Sequence, residues 1–311
     1  MACSALAEAA GPAVLVVVGA EGTAEFGEQF RGWAERWKAA AESAKAEYQA
    51  IGLDESGNKA DREVLVEVLE ALAKSDNQET VWLVLIGHGT FDGKTPKFNL
   101  RGADFTPVEL KTWLKNMERP VAIINCASAS GPFLNGLSGE NRLVVTATRA
   151  GSEYNFARFG EHLSTAITNL QADLDKDDQV SLLEAFLYAS AGVRDFYAGE
   201  GRLATEHALI DDNGDELGTP ADWFAGLRAT KRAKDGAELD GMRAAQLVLV
   251  RSQREERLSP ELRLRRDELE RELAKLRQSK AELPEEEYLE KIEPILLELG
   301  RLYATAESQG Q

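Results

Sequence analysis

Short, continuous apolar runs alternate along the first half of the chain with stretches whose apolar positions recur every three or four residues. Residues 12–18 form a β-branched run closed by Gly19, and Val81-Trp82-Leu83-Val84-Leu85-Ile86 is apolar at every position. Residues 121–124 and 143–147 repeat the pattern. Strands buried on both faces read this way, and such strands belong to parallel sheets. Between them, Phe26, Phe30, Trp33 and Trp37 are spaced 4, 3, 4, which places them on one face of a helix. That large aromatic face is expected to pack against the sheet. Leu65, Val68, Leu69 and Leu72 mark a second helix over residues 61–72. Thr106-Pro107-Val108-Glu109 opens a third, with a capping box and a proline at the first helical position, and Leu110, Trp113 and Leu114 supply its buried side. Residues 159–170 read as another helix. The alternation predicts an α/β sandwich built on a mostly parallel sheet. In such sheets the chemistry sits at the carboxyl ends of the strands. The loops at residues 87–93 and 125–131 both follow strands, so they are expected on one edge of the sheet.

From about residue 228 the composition changes: charge rises and no further strands are read. Ser259-Pro260-Glu261 opens a helix backed by Leu262, Leu269, Leu273 and Leu276. Pro284 opens another, with Leu289, Ile292, Leu296, Leu299 and Tyr303 spaced 3, 4, 3, 4, and Pro294 is expected to kink it or to mark its first turn. The pair should form an antiparallel α-helical hairpin turning at residues 279–283. The chain thus divides into an N-terminal tail (1–11), an α/β domain (12–227) and a helical appendage (228–311). The hairpin reads either as a cap on its own protomer or as a surface for a protein partner or a second copy.

Composition narrows the choices. With 311 residues and 43% apolar side chains the chain can bury a sizeable core. Its 36 basic and 53 acidic residues give a net charge of −17, which argues against a general nucleic-acid binder and predicts repulsion from anionic lipid. No apolar stretch approaches the length of a transmembrane helix. Two cysteines, Cys3 and Cys126, cannot make a disulfide framework. The alanine-rich start reads as a cytoplasmic N-terminus or as the remainder of a trimmed export signal, which would make the protein periplasmic or secreted. No organic cofactor is expected.

The two strand-end loops carry the candidate chemistry. His88 lies between two glycines just past a buried strand, where glycine lets the backbone approach a ligand. His162 and His207 have no comparable setting. Cys126 follows the next strand, and a thiol near its normal pKa of about 8.5 is readily tipped to thiolate by a neighbouring imidazole. Ser128 competes, although its hydroxyl demands a stronger base. Residues two apart in an extended segment face the same side, so Cys126 and Ser128 are both expected near His88.

The stretches Leu85-Ile86-Gly87-His88-Gly89-Thr90-Phe91-Asp92-Gly93, Ala129-Ser130-Gly131-Pro132-Phe133 and Leu143-Val144-Val145-Thr146-Ala147-Thr148 resemble the caspase–legumain–metacaspase superfamily of cysteine peptidases, nearest its bacterial legumain-like and metacaspase-like members. The resemblance spans residues 12–225. It implies a caspase-like three-layer sandwich with a six-stranded, largely parallel sheet, and an endopeptidase acting on a peptide or protein substrate. It further implies a histidine–cysteine dyad with His88 as base and acid, and an oxyanion hole from the backbone N–H of Gly89 and of the nucleophile. The family motif Cys-x-Ser-Gly, aligned on Ser130-Gly131, puts Ser128 at the nucleophile position and Cys126 two residues upstream. Three readings stand: a cysteine enzyme with a shifted loop, a serine variant, and an inactive relative that binds peptide or acts as a scaffold. No acidic residue falls where a pocket for basic side chains would need one.

A second pattern concerns metal. Asp173, Asp175, Asp177 and Glu184 fall at positions 1, 3, 5 and 12 of a calcium loop, with Gln179 offering a backbone carbonyl and Ser181 at position 9. Carboxylates this close repel unless neutralised, and hard oxygen donors suit calcium. Asp178 stands where glycine usually takes the left-handed turn, a conformation aspartate tolerates. The alternative is an acidic loop whose Ser181 and Glu184 cap the next helix. Asp211-Asp212-Asn213-Gly214-Asp215 reads as an Asx turn.

Overall fold

The apolar runs form the strands of one sheet. In the computed structural model, which describes residues 11–54, 59–280 and 283–309, β1 (Ala13–Val18) leads into the aromatic helix α1 (Ala24–Ser43) and then β2 (Glu47–Ile51). Helix α2 (Asp61–Ala73) and β3 (Val81–Ile86) follow, then a hairpin of β4 (Gly89–Phe91) and β5 (Pro96–Phe98). Next come α3 (Pro107–Trp113), β6 (Val121–Asn125), α4 (Gly131–Leu137), β7 (Arg142–Thr146), α5 (Phe159–Ala166) and α6 (Leu182–Gly199). The short strands β8 (Leu209–Asp211), β9 (Thr219–Pro220), β10 (Phe224–Ala225) and β11 (Arg228–Ala229) precede α7 (Met242–Gln246). The expected tail, with Cys3, falls almost wholly outside the described residues.

The main sheet has seven strands in the order β2-β1-β3-β6-β7-β8-β9. The first four pairings are parallel and the last two, β7–β8 and β8–β9, antiparallel, so β8 alone runs against the rest. One strand more than the six implied by the family resemblance is therefore present. The additions to the sequence reading are β2, an edge strand with alternating exposure, and β8 and β9, which are too short to show a period. Alternation within each central strand splits the core in two. Val14, Val16, Val18, Trp82, Val84 and Ile86 pack against α1, α5 and α6. Leu15, Val17, Leu83 and Leu85 pack with Leu65 and Leu69 of α2, Leu110 of α3 and Phe133 of α4. The result is a three-layer α/β/α sandwich.

Two compact units are present, Met1–Val250 and Arg251–Gln311, so the break lies later than the change of composition at 228. Residues 228–250 end in a short apolar run, Leu247-Val248-Leu249-Val250, and Asp240, Ala244 and Leu249 are buried within the first unit. The second unit contains α8 (Gln253–Glu256), α9 (Pro260–Gln278) and α10 (Glu285–Gln309). Helices α9 and α10 run antiparallel: Arg265 near the start of α9 pairs with Glu298 late in α10 at 2.8 Å, and Leu258 packs with Leu302. Part of their turn, residues 281–282, lies outside the described residues. Pro294 sits inside α10 and does not open it. The stripe on α10 is also displaced from expectation. Leu289 and Leu296 are exposed, whereas Tyr288 and Leu302 are buried, so the buried stripe is offset by one residue at those positions.

Candidate active site

The carboxyl ends of β3 and β6 bring the two loops together. Leu85 and Asn125 are register partners, so His88 and Ser128, each three residues further on, leave neighbouring strands at the same level. Gly89 lies so close to the second loop that a Cβ there would stand 2.1 Å from the Ser128 carbonyl oxygen. Only glycine allows this approach of two backbones.

The His88 ring is half-buried in an aromatic box, with centroids 4.9 Å from Phe26, 5.2 Å from Phe30 and 6.2 Å from Phe156. Its Nε2 lies 3.2 Å from the Glu21 carbonyl oxygen. A carbonyl only accepts, so this contact assigns the proton to Nε2 and leaves the lone pair on Nδ1. Burial lowers the imidazole's pKa, opposed by the bond to Glu21, so the ring is neutral at pH 7. The sequence showed the aromatic face of α1 as core. It gave no sign that Phe26 and Phe30 end on the histidine, or that a main-chain carbonyl orients it.

Ser128 is buried, and its hydroxyl is held by the backbone of the facing loop. Oγ accepts the Gly89 N–H at 3.3 Å and donates to the Gly89 carbonyl at 3.2 Å. The turn carrying it is fixed from three sides. Asn125 Oδ1 accepts the Ala127 N–H at 3.1 Å, and the Glu153 carbonyl accepts that of Ala129 at 2.8 Å. Thr148 Oγ1 accepts the Gly131 N–H at 3.0 Å and meets Ser130 Oγ at 3.2 Å. Ala129 has φ +53°, a left-handed conformation that costs a non-glycine residue about 1–2 kcal/mol.

Cys126 is in a different place. It continues the face of Ala122 and Ile124 into the core beneath α1 and α5, where a Cβ on Gly160 would stand 2.7 Å from its own Cβ. Burial pushes the thiol up to about 12, with the Glu206 carboxyl adding to the shift. This corrects the expectation of a thiolate beside an imidazole. It also corrects the expectation that Cys126 and Ser128 face one side. The strand ends at Asn125, Ala127 packs in the opposite half of the core, and the turn directs Ser128 to Gly89. Among the described residues no hydrogen bond joins His88 to Cys126 or Ser128.

Other features around this edge carried no sequence signal because they depend on irregular loops. The His207 Nδ1 meets Glu153 Oε1 at 2.5 Å, and Arg149 Nε lies 3.2 Å from the same carboxylate. Glu206 is buried and accepts the N–H groups of Arg158 and Phe159 at 2.9–3.0 Å. A cavity of about 560 Å³ lies beside it, lined by Phe159, Leu187, Val193, Tyr197 and Leu203. His162 packs against Gly192 between α5 and α6, a structural position.

The expected calcium loop brings carboxylate oxygens of Asp173, Asp175 and Asp177 within 4.8 Å of one another. Asp173 is buried and the other two are exposed. Burial and the charges of Asp177, Glu184 and Asp173 raise the Asp175 carboxyl to about 6. Asp178 adopts φ +66° at the position where glycine is usual. Gln179 donates its side-chain N–H to Asp177 at 2.7 Å. Glu184 accepts from Ser181 N and Oγ at 2.8 Å and from Leu174 N at 2.7 Å, closing a capping box on α6. Three converging carboxylates fit a hard divalent cation, while Ser181 and Glu184 are engaged with each other.

No family model matches the chain, and no curated protein matches it in sequence. Among solved structures, caspase-1 from Spodoptera frugiperda is similar with a TM-score of 0.42 at 9% identity, covering 66% of this chain and 87% of that one. The Drosophila initiator caspase Dronc is similar with a TM-score of 0.43 at 13% identity, covering 65% of this chain and 79% of that one.

Proposed function

We propose that the protein is a caspase-like endopeptidase of the serine type, with His88 as general base and Ser128 as nucleophile. The supporting observation is the Glu21 carbonyl on His88 Nε2, which leaves a neutral imidazole with an unprotonated Nδ1 one residue before Gly89, whose backbone holds the Ser128 hydroxyl. In this reading a bound peptide displaces the Ser128 hydroxyl from Gly89. Nδ1 takes the hydroxyl proton as Oγ bonds to the substrate carbonyl carbon. The Gly89 N–H, released from Oγ, stabilises the negative charge on the carbonyl oxygen. The imidazolium then returns the proton to the departing amine as the C–N bond breaks, and a water activated by the same nitrogen hydrolyses the acyl–serine ester. Cys126 has no part in these steps, since its buried thiol is held in the neutral form.

Asp173, Asp175 and Asp177 would hold calcium, which when bound neutralises their mutual repulsion. The loop leads directly into α6, several of whose residues line the cavity. Activity is therefore expected to respond to calcium. The deciding experiment is labelling by a fluorophosphonate together with cleavage of a fluorogenic peptide panel, with and without calcium. Ser128→Ala should abolish labelling and cleavage, and His88→Ala should slow cleavage about 10²–10⁴-fold. Labelling that survives Ser128→Ala would exclude Ser128 as the nucleophile.

A second reading, a peptide-binding module without catalysis, is favoured by the two bonds that hold Ser128 Oγ to Gly89. It predicts peptide binding that Ser128→Ala leaves unchanged, with no turnover in any condition. In that case the helical hairpin is the natural place for a protein partner.

A further inference from the structure

Helix α10 carries more apolar side chains than α9 covers. Tyr288 and Leu302 are buried, whereas Leu289, Leu296 and Leu297 are 54%, 46% and 52% exposed. Leu289 and Leu296 are seven residues apart, about two turns of helix, so they share one face. Ile292 and Leu299 are half-buried and lie between that face and the buried one. Gly300, one turn beyond Leu296, would meet nothing within 4 Å if it carried a Cβ. The row therefore ends in a notch where another backbone can approach closely. Apolar side chains grouped in this way mark a contact surface.

The charges beside the row are of one sign. Glu285, Glu286, Glu290 and Glu293 lie within four residues of Leu289, all are exposed, and none makes an ion pair among the described residues. Lys291 is engaged by Glu287 at 2.7 Å, and Glu298 is taken by Arg265 of α9 at 2.8 Å. This pattern decides between occupants. A second copy of α10 laid on the same face, parallel or antiparallel, would set the four carboxylates against their own duplicates, and like charges brought together repel. Helix α9 of a second copy offers no matching row, since Leu264 is its one exposed leucine. A helix with cations beside its apolar side satisfies both halves of the pattern.

We propose that this face of α10 docks an amphipathic helix of another protein, with leucine-like side chains against Leu289 and Leu296 and lysine or arginine beside them to meet the four glutamates. Helices recognised in this way present anchors at i, i+3, i+4 and i+7. The surface belongs to the unit that begins at Arg251, and it does not depend on the peptidase reading.

The test is binding of a fluorescein-labelled synthetic helix, leucine on one face and lysine on its flanks, to the full chain, read by anisotropy across a range of salt. The controls are a twin with glutamate in place of lysine and a scrambled peptide of the lysine composition. The lysine helix should bind, and less tightly as salt rises, while twin and scramble should not bind. Leu296→Ser should weaken binding about tenfold or more. Glu290→Gln combined with Glu293→Gln should flatten the salt dependence, and Leu264→Ser on α9 should change nothing. The altered side chains are exposed, so circular dichroism should match wild type; should Leu296→Ser differ, Leu289→Ser takes its place. No binding of the lysine helix, equal binding of the twin or the scramble, or unchanged affinity in both leucine variants would overturn the proposal. A dimer in sedimentation that Leu296→Ser dissolves would overturn it as well, by making a second copy the occupant.

Discussion

Cys126 and Ser128 are two positions apart and both buried, but in different surroundings. The thiol is sealed under α1 and α5 at about 12, and the hydroxyl sits against the facing loop. In a Cys3→Ser background the native protein should therefore resist Ellman's reagent until denaturant is added, and Cys126→Ala should leave peptide cleavage unchanged. Fast reaction of the native thiol would contradict the burial. For His88 the sign is set by desolvation, which lowers its pKa below the ordinary 6.5. The acid limb of kcat/KM should then fall below pH 6.5. The unfolded chain binds this proton more readily than the native one, so the histidine makes stability fall as pH drops below about 6.5, levelling once the native ring is protonated. His88→Gln should remove both features, read by rate profiles and by urea midpoints across pH. Gly89→Ala would drive a Cβ onto the Ser128 carbonyl and should abolish activity even where the chain still folds.

At the scale of elements, local chemistry and packing can be separated. The capping box of α3 was readable as Thr106-Pro107-Val108-Glu109 and forms as read, with Glu109 Oε2 2.9 Å from Thr106 N. Thr106→Ala should cost about 1 kcal/mol in urea denaturation. Helix α5 depends on a residue with no local signature. Gly160 lets it close on Trp33 and Cys126, where an added Cβ would stand 2.6–2.7 Å away. Gly160→Ala should destabilise by about 1–3 kcal/mol through overpacking, seen as a lower midpoint with an unchanged slope. The offset stripe on α10 has a similar origin. Tyr288 stands beside Leu289, and Leu302 beside Tyr303, so periodicity admits more than one stripe and contact with α9 selects the one that is buried.

For the whole molecule, both halves of the core and every candidate catalytic residue belong to the unit ending at Val250. A chain of residues 1–250 should fold cooperatively and keep the peptidase or peptide-binding activity of the full protein; loss of its melting transition would show that the second unit is needed for folding. Much of this architecture was open to a reading of sequence. Fully apolar runs specify strands buried on both faces, and 3.6-residue periodicity specifies the helices that cover them, because burial of apolar surface is written directly into residue order. The same reading put His88 and Ser128 at strand ends, and register then brought the two loops to one edge. What residue order could not fix were events that depend on where the chain bends and what lies across from it. The end of β6 at Asn125 sent Cys126 inward and Ser128 to Gly89. The Glu21 carbonyl chose the histidine tautomer. Each is a contact between segments distant in sequence or a change of direction within a few residues, and hydrophobic periodicity carries information about neither.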